Sequence, residues 1–330
     1  MAGRDLQYRV TSGRYTLPVA LLVAVVCRLA ALLALPSVEV PDAGGTLWTG
    51  LTGGLPGVVL FWGGLLVHVL TAYLLILLNN AYGLIRQRAS FQSAVYLLLV
   101  SLGPDLYGLQ AGHVAGLAVA GSLFFLFRAY RSPSASADLF LAMACMGVGA
   151  LFVPRLAFFV PIYWIGAYSL QALTLRSFFG SLLGWMFPFW FLLGHAWFHG
   201  EMGLFTAPFI EMTQLGPVFQ GFEGGQWGAL GYLLVLFLAA GGHILVRGFD
   251  DKIRTRCCLR FFVLLSLCLF LAVILQPSLY AGLLPALAVC VSVLAGHLFV
   301  LTRGRAANVF FVLVLWAGLL VYLLNLWMLS

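Results

Sequence analysis

Eight side chains in this sequence have a type and spacing that could do chemistry. Glu39 and Asp42 sit three apart in SVEVPDAGG. A carboxylate in a partly desolvated pocket has its pKa raised and can act as general base toward an acceptor hydroxyl, while in an open loop the same two acids are merely solvated. Asp105, in GPDLYGLQAGH, is followed eight residues later by His113, about two helical turns on. Pro104 before it also makes Asp105 a turn residue and a cap for the next helix. Arg155, in FVPRLAFF, carries the planar fork that suits phosphate oxygens, or that reaches out to lipid headgroups. Arg28 lies about twelve residues into an apolar run, too deep to reach water easily, so an acid or helix carbonyls in the interior are its expected partners. His195 and His199, in GHAWFHGE, share one helical face with Glu201 just beyond. That is the geometry of two metal ligands, but Ala196 stands where the zinc-protease motif needs Glu, so hydrogen bonding at a membrane interface is expected and no metal.

Other chemistries find no support. The six cysteines have neither zinc nor disulfide-framework spacing, and four of them fall inside apolar runs as small packing residues. No Walker or Rossmann glycine signature occurs, so no nucleotide or other cofactor is expected. His68, His243 and His297 fall in separate apolar runs, where a histidine most often bonds one helix to another.

The elements that must position these groups are membrane helices. Of 330 residues 63% are hydrophobic and only 8% charged, which no water-soluble core accounts for. The mean hydropathy is +1.05. The net charge of +7 comes from short clusters between apolar runs, which points to lipid headgroups and away from nucleic acid. A span needs roughly 20 apolar residues. Eleven runs qualify: 17–35, 57–78, 90–104, 110–129, 138–153, 156–173, 178–198, 227–246, 261–276, 279–301 and 308–328. The first is read as an uncleaved span, because it lacks a small-x-small cleavage site. Run 90–104 is short, but both it and the next must cross if Arg128 and Arg131 are to stay inside.

With the N-terminus inside, fifteen of the seventeen Lys and Arg fall on the cytoplasmic side, and Glu39, Asp42, Asp105, Glu201, Glu211 and Glu223 face out. The expectation is therefore an all-α polytopic protein of the bacterial inner membrane, N-terminus inside and C-terminus outside, forming one transmembrane domain over 1–330 with no soluble domain. Its parts are a cytoplasmic segment 1–16, external loops 36–56 and 200–226, and a cytoplasmic loop 247–260. Loop 200–226 is long enough for a lid, and RGFDDKIRTRCCLR reads as a segment lying on anionic lipid.

Three stretches carry a resemblance: NNAYGLIRQRASFQSAVYLLLV, GHVAGLAVAGSLFFLFRAYRS and FVPIYWIGAYSLQALTLRSFFGSLLGWMFPFWFLLGHAW. Over Asn79 to Trp197 the chain resembles a family of uncharacterised polytopic inner-membrane proteins of Bacteroidota, which implies a location and little chemistry. An N-in first helix, acids in the loop after it and the later LAVAGSLFFLFRAYR are, more loosely, similar to the C-type membrane glycosyltransferases that use polyprenyl-phosphate sugars. That similarity implies a catalytic acid in the first external loop, at the positions of Glu39 and Asp42, and a site open to the outer face.

Three functions fit. One is a glycosyltransferase or glycan polymerase, in which Glu39, Asp42 or Asp105 deprotonates the acceptor while Arg28, His113, Arg155, His195 and His199 bind a polyprenyl-phosphate-linked sugar. The second is a transporter or flippase for a lipid-linked or small anionic substrate, and the third a non-catalytic assembly subunit. Membrane lipid is the expected partner, and protein partners stay open.

Overall fold

The computed structural model describes residues 6–34, 44–85, 90–214, 216 and 221–329. In chain order its helices are α1 (Leu6–Thr11), α2 (Thr16–Ala34), α3 (Thr46–Thr52), α4 (Gly57–Tyr82), α5 (Phe91–Leu99), α6 (Ala111–Arg128), α7 (Ala135–Phe152) and α8 (Val160–Ser169). They continue as α9 (Leu175–His199), α10 (Met202–Thr213), α11 (Gly224–Arg247), α12 (Ile253–Leu275), α13 (Tyr280–Leu301) and α14 (Arg305–Leu329). No strand occurs among the described residues. An all-helical fold is what an apolar solvent enforces, because only a helix satisfies its own backbone groups without water. Among the described residues nine helices are long and apolar enough to cross a membrane: α2, α4, α6, α7, α9, α11, α12, α13 and α14. The chain is a polytopic membrane protein.

Two of the eleven expected spans take another form. Run 90–104 holds only the nine-residue α5, about 14 Å long against a hydrocarbon core of about 30 Å. The helix stops ahead of Gly103-Pro104, where the ring denies the helix an N–H and restricts the residue before it. Run 156–173 is a 3₁₀ stretch at Pro154–Phe159 followed by the ten-residue α8. Both nevertheless return from one end of the bundle to the other, because the helices they join are parallel neighbours. Gly64 of α4 abuts the carbonyl of Tyr107 ahead of α6, and farther along the same pair Tyr82 donates to the Phe124 carbonyl at 2.6 Å. Likewise Gly184 of α9 lies against the carbonyl of Phe140 on α7, and a methyl on Gly147 would come within 2.6 Å of the Trp185 carbonyl. Glycine permits these close backbone approaches, and any side chain would push the helices apart.

The ends of the bundle differ in charge. At one end Arg128 pairs with Asp138 at 2.6 Å, and Arg254 donates to the Phe127 carbonyl at 3.1 Å. There α1 is pinned by Gln7, which donates to the carbonyls of Phe299 (2.7 Å) and Thr302 (2.9 Å). The other end carries Asp105, Glu201, Glu211 and Glu223. At its centre α13 is enclosed, buried at every residue from Gly282 to Val300 by α5, α6, α11 and α12.

Three loop expectations change. Segment 200–226 contains α10, and 36–56 contains α3. The two short helices are joined: Glu211 on α10 accepts from the backbone N–H of Thr46 (2.8 Å) and from its hydroxyl (2.5 Å). Segment 247–260 is partly helical, since α12 begins at Ile253, and its Asp251 is buried against His297 at 3.1 Å while Phe249, Lys252 and Ile253 stay exposed.

Candidate functional site

The non-helical stretch 100–110 gathers most of the buried polar groups of the acidic half. A backbone that leaves the helix inside a membrane bundle must find partners for its carbonyls, and here the side chains that supply them are identifiable. Arg28, 1% exposed on α2, donates through Nη1 to the carbonyls of Phe61 (2.9 Å) and Tyr107 (2.6 Å). Its guanidinium also stacks near the rings of Phe61 (5.5 Å) and Tyr107 (4.6 Å). Of the two partner types expected for Arg28, carbonyls are the ones it finds. Asn325 on α14 donates to the Leu102 carbonyl at 2.7 Å. Tyr107 donates to Ser101 (2.8 Å), Gln110 donates to the Asp105 carbonyl (3.1 Å), and the N–H of Leu109 reaches Leu60 on α4 (2.8 Å).

Asp105 sits in a 3₁₀ turn, Pro104–Leu106, and does not cap α6. That place belongs to Gln110, whose N–H donates to Nδ1 of His113 at 3.4 Å. His113 is thus turned inward, its ring 4.3 Å from that of His68 on α4, which in turn meets the Tyr96 hydroxyl of α5 at 2.9 Å. His68, His113 and Tyr96 are all buried. Asp105 itself lines a cavity of about 220 Å³ with Glu223, Gly224, Gly225, Gln226 and Asn325. Burial pushes its carboxyl up from 3.8 to about 6. Backbone N–H groups of Asp105 and Leu106 pull the other way, and the charge of Glu223 adds to the rise.

The remaining predicted site residues lie elsewhere. Arg155 is absent from the Asp105 cavity and donates to the carbonyl of Gln214, so it fastens the end of α10. His195 and His199 lie side by side, their ring centres 4.5 Å apart and the rings tilted by 56°, on an exposed face of α9. No group of three or more metal-ligating side chains occurs among the described residues. Glu39 and Asp42 lie outside the described residues. So Arg28, Asp105 and His113 meet around one segment, while Arg155, His195 and His199 do not join them.

Sequence reading missed Asn325, Tyr107 and Gln110. Asn325 did leave a signal, as an amide deep in the last apolar run, far from Asn308 at that run's start. On the far side of 101–102 lies a second, larger cavity of about 580 Å³, an apolar groove between α2, α5, α11 and α14. No family model, curated protein or solved structure matches the chain.

Proposed function

We propose that this protein is an inner-membrane enzyme of eleven passes, N-terminus in the cytoplasm, that transfers a group from a lipid-linked donor at its acidic, periplasmic end. In this reading 90–104 and 156–173 complete the crossings as broken helices, which agrees with the charge difference between the ends. The observation that carries the chemistry is the Asp105 cavity: a carboxyl raised to about 6, still ionised at neutral pH, facing Glu223 at the end of a buried non-helical segment. Such a carboxylate is a stronger base than one in water and takes the proton of an acceptor hydroxyl as the new bond forms. The first turn of α11, at Gly224–Gln226, offers backbone N–H groups for the departing phosphate. The donor in this reading is a sugar carried on polyprenyl phosphate.

The test is a lipid-linked-sugar profile of a strain lacking the gene, complemented with wild type, Asp105→Asn or Glu223→Gln. Accumulated precursor that wild type clears and Asp105→Asn does not supports the reading, provided both proteins reach the membrane equally. A profile unaltered by deletion sinks it.

A transporter is the second reading. It is favoured by the buried polar series along α4, α5 and α6, from Gln110 through His113, His68, Tyr96 and Gln92 to Asn79. Substrate uptake into vesicles that survives Asp105→Asn would select it.

A further inference from the structure

The 580 Å³ groove is walled by Val19 and Val23 of α2, Ala94 and Leu98 of α5, and Leu315 and Leu319 of α14. Four of the five hydroxyls that line it, all but that of Tyr15 at its basic end, are committed. Thr16 donates to Val10 (2.5 Å), Ser101 to Leu97 (2.7 Å), Tyr232 to Val314 (3.1 Å) and Tyr322 to Cys27 (2.8 Å), each to a backbone carbonyl. A ligand therefore finds hydrocarbon along the walls. The one cation lining the groove is Arg9 of α1, at the basic end, with Tyr15 exposed near it. Arg14 and Arg303 lie at the same end, Arg303 over the ring of Tyr8 (5.7 Å).

The dimensions select the occupant. From Thr16 to Cys27 on α2, and from Phe311 to Tyr322 on α14, the groove follows eleven residues of helix. That is about 17 Å, close to the hydrocarbon depth of a single leaflet. We propose that this groove binds one acyl chain of an anionic phospholipid from the leaflet at the basic end, with the phosphate held at Arg9. The helix α1 is then a headgroup clasp, fixed to α13 and its exit by Gln7 and lying across the mouth of the groove. This site is separate from Asp105 and stands whether or not the protein is a transferase.

The experiment is native mass spectrometry of the purified full chain, incubated with phosphatidylglycerol or with phosphatidylcholine of the same chains. Wild type should retain one phosphatidylglycerol about fivefold better than phosphatidylcholine, the effect of one basic side chain on an anionic headgroup. Arg9→Gln should bring that ratio to about one while a lipid is still held. Val19→Trp and Leu319→Trp, at exposed groove positions that fold can accommodate, should each lose the retained lipid of either type at an unchanged melting temperature. Equal retention of the two lipids by wild type overturns the proposal, as does full retention of phosphatidylglycerol by both tryptophan variants, which would place the lipid on other basic loops. A lipid-free mass of two chains would assign the groove to a second copy and overturn it as well.

Discussion

Replacing Arg28 by Met separates what holds the 100–110 segment from what charges it. Methionine keeps most of the stem volume and removes the guanidinium. The Phe61 carbonyl lies inside α4, where the helix supplies its own donor, so its loss of a 2.9 Å bond is the smaller one. The Tyr107 carbonyl lies in the non-helical stretch and loses a 2.6 Å charge-assisted bond. A buried acceptor left without a donor costs about 1–3 kcal/mol, and each cation-ring contact adds about 0.5–1 kcal/mol. Against this stands the relief of no longer burying a cation. That relief is small here, since residue 28 stays within an apolar span even when the helices separate, so the reference state solvates the guanidinium poorly too. The net expectation is destabilisation by about 2–3 kcal/mol, or about 30- to 150-fold in the unfolding equilibrium.

The assay is denaturant titration in mixed micelles, with hydrogen exchange read segment by segment. Exchange should quicken at 100–110, at the Leu109 amide above all, and stay unchanged in α7 and α9, which pack elsewhere. A variant as stable as wild type, or more so, would refute the reasoning, because it would mean that the burial cost of the charge outweighs its carbonyl and ring contacts.

Three further expectations follow from the same geometry. Asp105 has a folded pKa near 6 against 3.8, so its protonated form is favoured by folding. Its contribution to stability is complete below about pH 4 and is lost as pH rises through 6; melting temperature should therefore fall between about pH 4 and 6 in wild type, level off above that, and stay flatter in Asp105→Asn. Asn325→Leu orphans the Leu102 carbonyl and should cost about 1–3 kcal/mol in the same denaturant titration, with Asn325→Gln recovering part of it. Gly112→Val would drive a side chain into the Ala281 carbonyl where α6 meets α13, and should abolish folded protein, read as loss of the monodisperse peak on size exclusion.

Span positions were legible in the sequence because a long apolar run has few other uses, and nine such helices are present among the described residues. Of the two runs without a long helix, 90–104 stood out in the sequence by its shortness while 156–173 did not, and hydropathy marked neither, since Leu97, Leu98, Leu99 and Val100 read like any span. Only Gly103-Pro104 marks the end of α5. Arg28 was readable as an interior residue from its depth, yet its partners are backbone carbonyls, which leave no trace in a sequence. The spacing of His195 and His199 gave the shared face correctly but not which way that face points, and it points away from the Asp105 cavity. Asp251 looked like a loop acid because its partner, His297, is 46 residues away along the chain.

The enclosure of α13 bears on how the protein is made. Its nineteen residues from Gly282 to Val300 touch other helices on every side, yet in chain order they leave the ribosome after α5, α6, α11 and α12 are already synthesised. Until then those helices surround a gap that lipid must occupy, and α13, itself apolar enough to enter the bilayer alone, has to displace that lipid to reach its place. Assembly of this core is therefore closed only after its surrounding helices have been made, and a nascent chain stalled before Tyr280 would present those helices to the membrane without the one they enclose.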